Sequence, residues 1–269
     1  MLVGLDHLIV AVVDLDAAAE RLEASLGLEV GDGGRHPALG TENRLAWWGD
    51  SYLELVAIED ARTAAANWFG AAVAATLAEG GAARAPGHTL ASGGAPVGLT
   101  LASDDLASDA AVTRSATISD GQRARPDGRV VRWRMARSGP AGSGATPPRA
   151  TWPTVFMIEH DRTAAEWTDQ ERAARVRAVH PLGTPVRLRA VTLGVPTVTG
   201  TVGRLGRELG LLFRPALVGG GARDASIGRQ SLRVAPARPG VPRMTIDLSG
   251  GVEARELDLL GCRWRLTPG

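Results

Sequence analysis

The 269-residue chain contains no lysine; all 30 of its basic side chains are arginine. That removes Schiff-base chemistry and the lysine of a phosphate-binding P-loop. A single cysteine, Cys262, cannot form an internal disulfide, in keeping with a reducing compartment. No apolar run approaches the roughly 20 residues that cross a bilayer, so no membrane partner is expected. The first residues lack a basic region, an apolar core and a small-residue cleavage site, so a cytoplasmic protein is expected. A net charge of +1 with no basic block argues against nucleic acid as a partner. Neither G-x-S-x-G nor H-E-x-x-H occurs, which leaves two common hydrolase arrangements without support.

The first 58 residues are the most organised. The stretch Asp6–Val13 is rich in Val, Ile and Leu after Asp6 and His7, and its apolar character on both faces predicts a covered strand. Asp14 has the side chain of an N-cap. Leu15, Ala18, Ala19, Leu22 and Leu26 fall on one helical stripe, and Gly27 suits a left-handed C-cap. Tyr52–Ile58 predicts a second strand, in which Glu54 alternates with Leu53 and Leu55 and so takes the opposite face.

The unit recurs. Ala190–Pro196 reads as a strand and Thr197–Gly210 as a helix. At an offset of 183 residues, Arg21-Leu22 meets Arg204-Leu205, and Leu26-Gly27-Leu28 meets Leu209-Gly210-Leu211. Met244–Leu248 reads as the partner of Tyr52–Leu55, with Asp247 in the place of Glu54. A fainter middle copy has strands at Val97–Ala102, Gly128–Ala136 and Thr154–His160, and a short helix opening at Asp104-Asp105-Leu106. Ala61–Gly81 and Thr168–Val179 predict further helices. Ser138–Pro148 is a loop by composition, Pro181–Pro185 is the best linker, and His88 and His180 read as loop residues.

A β-α-β-β-β unit used repeatedly, with an acid near its last strand, resembles the vicinal oxygen chelate superfamily, whose members include glyoxalase I, extradiol dioxygenases and bleomycin resistance proteins. The chain is most similar to the glyoxalase-like branch. The resembling segments are Leu5–Val12, Gly33–Asn43, Tyr52–Leu55 and Pro153–His160. The resemblance implies an α+β fold of cupped mixed sheets. It implies a paired-module domain over residues 1–183 and an additional module over 184–269. It also allows a homodimer, because family members commonly pair units across subunits.

The family's metal ligands come from the first and last strands of each unit. Here those places carry His7, Glu54 and Glu159, while the fourth falls on Gly98, or on Val97 if the register slips by one, and the third unit offers Ala190 and Asp247. A divalent metal (Zn, Ni, Mn or Fe) is the cofactor this implies. His36, Thr41, Asn43 and Trp47 are expected at the mouth or wall of the substrate pocket, the first three on a Gly-rich loop. Two functions stay open. One is a metal-assisted lyase or isomerase acting on a small oxygen-rich substrate, with Glu54 or Glu159 moving the proton. A dioxygenase is disfavoured, because only one histidine stands at the expected positions. The other is a metal-free protein that sequesters a small molecule.

Overall fold

The computed structural model describes residues 1–82, 93–113, 116–138, 152–177, 180–218, 220–251 and 253–269. His88 and residues 139–148 of the predicted loop lie outside the described residues. The opening unit consists of β1 (Leu2–Val12), α1 (Leu15–Leu26), β2 (Gly31–His36), β3 (Thr41–Trp48) and β4 (Ser51–Ile58). Asp14 caps α1 through its side chain, accepting from the Ala17 amide, and Gly27 ends it at φ 66°. α2 (Ala61–Ala65) and α3 (Trp68–Ala82) follow. The second unit is β5 (Gly94–Ser103), α4 (Leu106–Thr113), β6 (Ala116–Ala124), β7 (Val130–Ser138) and β8 (Thr154–His160), and α5 (Asp169–Arg177) trails it.

These eight strands close into a barrel in the order β1-β4-β3-β2-β6-β7-β8-β5. β1 runs parallel to β4 and antiparallel to β5, and β2 meets β6 at the far seam. Alternation along each strand divides its side chains between two cores. Leu8, Val10, Leu53, Leu55, Val155 and Met157 join the core outside the barrel, with Leu22 and Leu26 of α1. Ile9, Val56, Val97 and Phe156 point inward. The far seam is tight: a Cβ on Gly34 would lie 2.4 Å from the Ala124 carbonyl oxygen. The Gly-rich stretch read as a loop is therefore a β2–β3 hairpin, with glycine where two backbones approach each other.

The remaining residues form a seven-stranded open sheet. Its elements are β9 (Arg187–Val195), α6 (Val198–Leu209), β10 (Arg214–Pro215), β11 (Arg223–Ile227), β12 (Gln230–Pro236), β13 (Met244–Gly251), β14 (Arg255–Leu259) and β15 (Cys262–Pro268). The strand order is β10-β11-β12-β9-β13-β15-β14. α6 and its left-handed Gly210 lie at the 183-residue offset from α1 and Gly27. β12 runs parallel to β9, as β4 does to β1. β13 runs antiparallel to β9, as β5 does to β1. Met244–Leu248 therefore corresponds to the first strand of a further unit, rather than to Tyr52–Leu55, and Asp247 is not the equivalent of Glu54. One apolar core, containing Leu8, Leu22, Val191, Leu205, Ile246 and Trp264, runs from the barrel exterior into this sheet. No described helix is long and apolar enough to cross a membrane.

Candidate functional site

The barrel interior is a cup of about 50 Å³, several times the ~10–15 Å³ that one water needs. Its apolar wall includes Trp68, Phe69, Trp133, Met135 and Phe156, and its polar wall includes His7, His36, Asn43, Glu54 and His160.

The polar wall starts from an irregularity in β1. Against β5, Leu5 pairs with Leu101 and His7 with Thr100, so Asp6 is an extra residue opposite no partner. Adjacent residues of a regular strand face opposite ways; the bulge lets Asp6 and His7 both turn inward. Asp6 is 1% exposed and His7 3%. The Asp6 carboxylate lies 2.6 Å from His7 Nδ1 and 3.1 Å from His160 Nε2. Burial alone would raise the Asp6 carboxyl, but His160 and His7 beside it hold it well below the carboxylate range. An ionised carboxylate only accepts, so both imidazoles donate to it, His7 through Nδ1 and His160 through Nε2. In its neutral form, His7 then turns the lone pair of Nε2 toward the Thr100 hydroxyl, 2.9 Å away. His160 Nδ1 is buried with no protein partner, while its ring stacks on Trp167 at 3.6 Å between centroids.

Glu54 lies on the cup face of β4 and is 6% exposed. Its Oε1 accepts from the Asn43 amide at 2.6 Å, and its Oε2 is 3.6 Å from His7 Nε2. Asn43 is fixed in turn by the Gly34 amide, which donates to its Oδ1 at 2.9 Å. Thr41 supports His36, with Oγ1 3.2 Å from Nδ1. Burial pushes the His36 imidazole down to about 4, against a smaller upward pull from Glu54. Burial also pushes the Tyr52 hydroxyl well above its ordinary range, with the Asp6 and Glu54 charges adding to it. Tyr52 stacks on His7 at 4.6 Å.

Across the cup, Arg123 contributes Nη2 to Glu166 at 2.6 Å and donates to the Gly33 carbonyl. Arg125 reaches the other Glu166 oxygen at 2.6 Å. Glu166 holds φ at 72°, a left-handed conformation that non-glycine residues rarely adopt. Both its carboxylate oxygens and its carbonyl, which accepts from Arg175, are tied to arginines.

Of the residues singled out in the sequence, the structure brings His7, His36, Asn43 and Glu54 to one cavity, with Thr41 behind His36. Trp47 sits beside the cup, packed on Tyr52 and Trp167 under the Arg175 guanidinium. Glu159 is not brought to the others. On β8 the cup face carries Phe156, Ile158 and His160; Glu159 turns outward, accepting from the Leu106 amide of α4 and from Arg134. Nor does a ligand fit at Gly98, where a Cβ would lie 1.8 Å from the Thr154 carbonyl oxygen. The second unit instead presents Thr100 and His160. His180 is a buried staple between the Glu29 amide and the Trp47 carbonyl.

The donors do not fit a divalent metal. Two cup-facing donors, His7 Nε2 and Glu54 Oε2, stand close together, Asp6 is spent on two imidazoles, and no group of three or more His, Cys, Asp and Glu suited to a metal occurs among the described residues. A catalytic zinc ordinarily takes three protein ligands.

Two β-α-β-β-β units close into one barrel around a cup of polar and aromatic side chains. The family model described as the glyoxalase-like domain matches residues 5–209, and the chain belongs to that family, within the vicinal oxygen chelate superfamily. A hypothetical protein from Staphylococcus aureus has a similar structure at 14% identity, with a TM-score of 0.70, 98% of this chain covered and 99% of that one. The likeness extends the shared fold over both halves of the chain. Methylmalonyl-CoA epimerase from Streptomyces coelicolor matches at 19% identity over 61% of this chain and 99% of that one, with a TM-score of 0.39. The Mn(II)-bound glyoxalase from Novosphingobium aromaticivorans matches at 12% identity over 92% of this chain and 65% of that one, with a TM-score of 0.47. No curated protein matches the sequence.

Two measurements follow from this geometry. Untagged protein incubated with Zn, Ni, Mn or ferrous iron and then gel-filtered is expected to carry well under one metal per chain; one equivalent, lost in both His7→Ala and Glu54→Gln, would contradict the donor count. His36 takes up a proton near 6.5 when unfolded but only near 4 in the barrel. The unfolded state therefore binds more protons across that window, and acidification from pH 6.5 to 4 removes up to about 3 kcal/mol of stability. Urea unfolding at several pH values should show this slope in the wild type and a flatter one in His36→Gln.

Proposed function

We propose that the cup binds a small uncharged molecule carrying a carbonyl or hydroxyl group, and that Glu54 moves a proton on it, as a lyase or isomerase does. The observation that supports this reading is Glu54 itself: a buried carboxylate held from one side by Asn43, with its second oxygen turned toward His7 Nε2 in a largely aromatic cavity. The buried charges favour a neutral ligand. Arg123 is neutralised by Glu166, which leaves Glu54 on the wall and Asp6 behind it. An anionic ligand would meet an uncompensated carboxylate in a low-dielectric space.

In such a reaction Glu54 takes a proton from the carbon next to the carbonyl, and the electron pair moves onto the carbonyl oxygen. The proton then returns to the adjacent carbon, or leaves with a departing group. The oxygen that gains charge needs a donor. Tyr52, kept protonated by burial, and neutral His36 line the cavity and can supply one. His160 Nδ1 is an acceptor for a ligand hydroxyl. The aromatic wall excludes water and fixes the plane of the ligand. The donor set supports this metal-independent form over the metal-assisted one, and ligand sequestering without chemistry is the outcome if no proton moves.

Hydroxyacetone, which carries two adjacent oxygens and no charge, is a suitable probe. In deuterated buffer, the protein is expected to exchange its carbon-bound protons faster than buffer alone, as read by proton NMR. Glu54→Gln should slow that exchange by about 10²–10⁴-fold while saturation-transfer signals still report binding. Exchange no faster than buffer in the wild type, despite binding, would contradict the proton-transfer role.

A further inference from the structure

The bulge that turns Asp6 and His7 into the cup is clamped by a residue from the C-terminal sheet. Gln230 opens β12, just after the β11–β12 turn, and contributes both ends of its amide. Its Oε1 accepts from the Leu5 amide at 2.5 Å, and its Nε2 donates to Ser51 Oγ at 2.8 Å. Ser51 Oγ donates onward to the Leu5 carbonyl at 2.7 Å. A ring of three side-chain hydrogen bonds therefore holds both backbone groups of Leu5, the residue immediately before the extra residue of the bulge. The ladder does not supply these bonds: β1 pairs with β4 only from His7 onward, and the register against β5 breaks between Leu5 and His7. Left unpaired, these groups would favour restoring a regular register, which turns Asp6 away from His7.

The clamp is built into both partners. Gly228 in the β11–β12 turn has φ 57°, and a Cβ there would lie 2.1 Å from the Val3 carbonyl oxygen. A Cβ on Gly4 would lie 2.8 Å from Gln230 Oε1. Glycine at each position lets the turn seat on β1.

We infer that Gln230 is a positioning residue for the Asp6–His7–His160 cluster, through which the sheet of residues 187–268 fixes the site of the barrel. The inference rests on the reading of that cluster as the functional wall of the cup, but its test does not depend on catalysis. The probe is the long-range proton–nitrogen NMR spectrum of the imidazoles, with His7 assigned by its loss in His7→Asn. In the wild type, His7 should show the Nδ1-protonated pattern that Asp6 imposes. Gln230→Leu, which keeps the bulk of the side chain and removes both hydrogen bonds, should convert that pattern to a mixture of tautomers. It should also speed exchange of the Leu5 amide on the order of tenfold, while unfolding stays cooperative. A folded Gln230→Leu with the wild-type His7 pattern and Leu5 protection would overturn the inference. Should that variant fail to fold, Ser51→Ala breaks the same ring at the barrel side; shifted His7 and Leu5 signals are then expected, and unchanged ones would overturn it equally. Failure of the proton-transfer reading shows separately, as absent deuterium exchange with the NMR signature intact.

Discussion

The site depends on one buried carboxylate shared by two imidazoles. Asp6 is almost fully enclosed, and an isolated charge in such a place would be neutralised or expelled. It persists because His7 and His160, from β1 and β8, both donate to it. Those strands flank β5 on either side in the barrel. The shared charge therefore fixes two rings on opposite sides of one strand, together with the tautomer of each. Everything else on the polar wall is set relative to that pair: Thr100 closes the far nitrogen of His7, Tyr52 stacks on its face, and Glu54 stands across from its Nε2.

The two halves of the chain use the same unit for different ends. In the barrel, paired units enclose a space and polar side chains face it. In the second sheet, the place of His7 is taken by Ala190 at the 183-residue offset. The face opposite the core there carries self-paired charges, such as Arg233 with Asp224 and Arg263 with Asp258. That sheet touches the cup indirectly, through the turn that seats Gln230 on β1. A stable apolar core continuous between the halves makes such a contact firm enough to hold a bulge against the tendency of strands to regularise.

Much of the fold was legible because its signals are local. The apolar stripe with Asp14 and Gly27 at its ends marks α1, and the alternation of Leu53, Glu54 and Leu55 places Glu54 inside. The glycines of β2 hid a strand, because they answer to a neighbouring backbone that the sequence does not display. The polar run Ala116–Ala124 went unread as β6 for lack of an apolar face. Met244–Leu248 carries an acid as a closing strand would, but its direction against β9 separates it from β12. Within the cup, period places Glu54, residue type singles out His7, and Asn43 stands out only as part of the Gly-rich stretch. Asp6 gives no such signal, because adjacent strand residues normally face opposite ways and a bulge is a property of register between strands. His160, and not Glu159, faces the cup for a related reason: at the end of a strand the alternation must be anchored from within, and Phe156 and Ile158 supply that anchor only once the cup is seen.

The most direct test of this account is a double-mutant cycle on stability, by urea unfolding near pH 7, for Asp6→Asn with His7→Asn and for Asp6→Asn with His160→Asn. A carboxylate shared between two buried imidazoles should give a coupling above about 1 kcal/mol in each cycle. Additivity within about 0.5 kcal/mol in either cycle would mean that Asp6 does not hold the two histidines together, and would contradict the account.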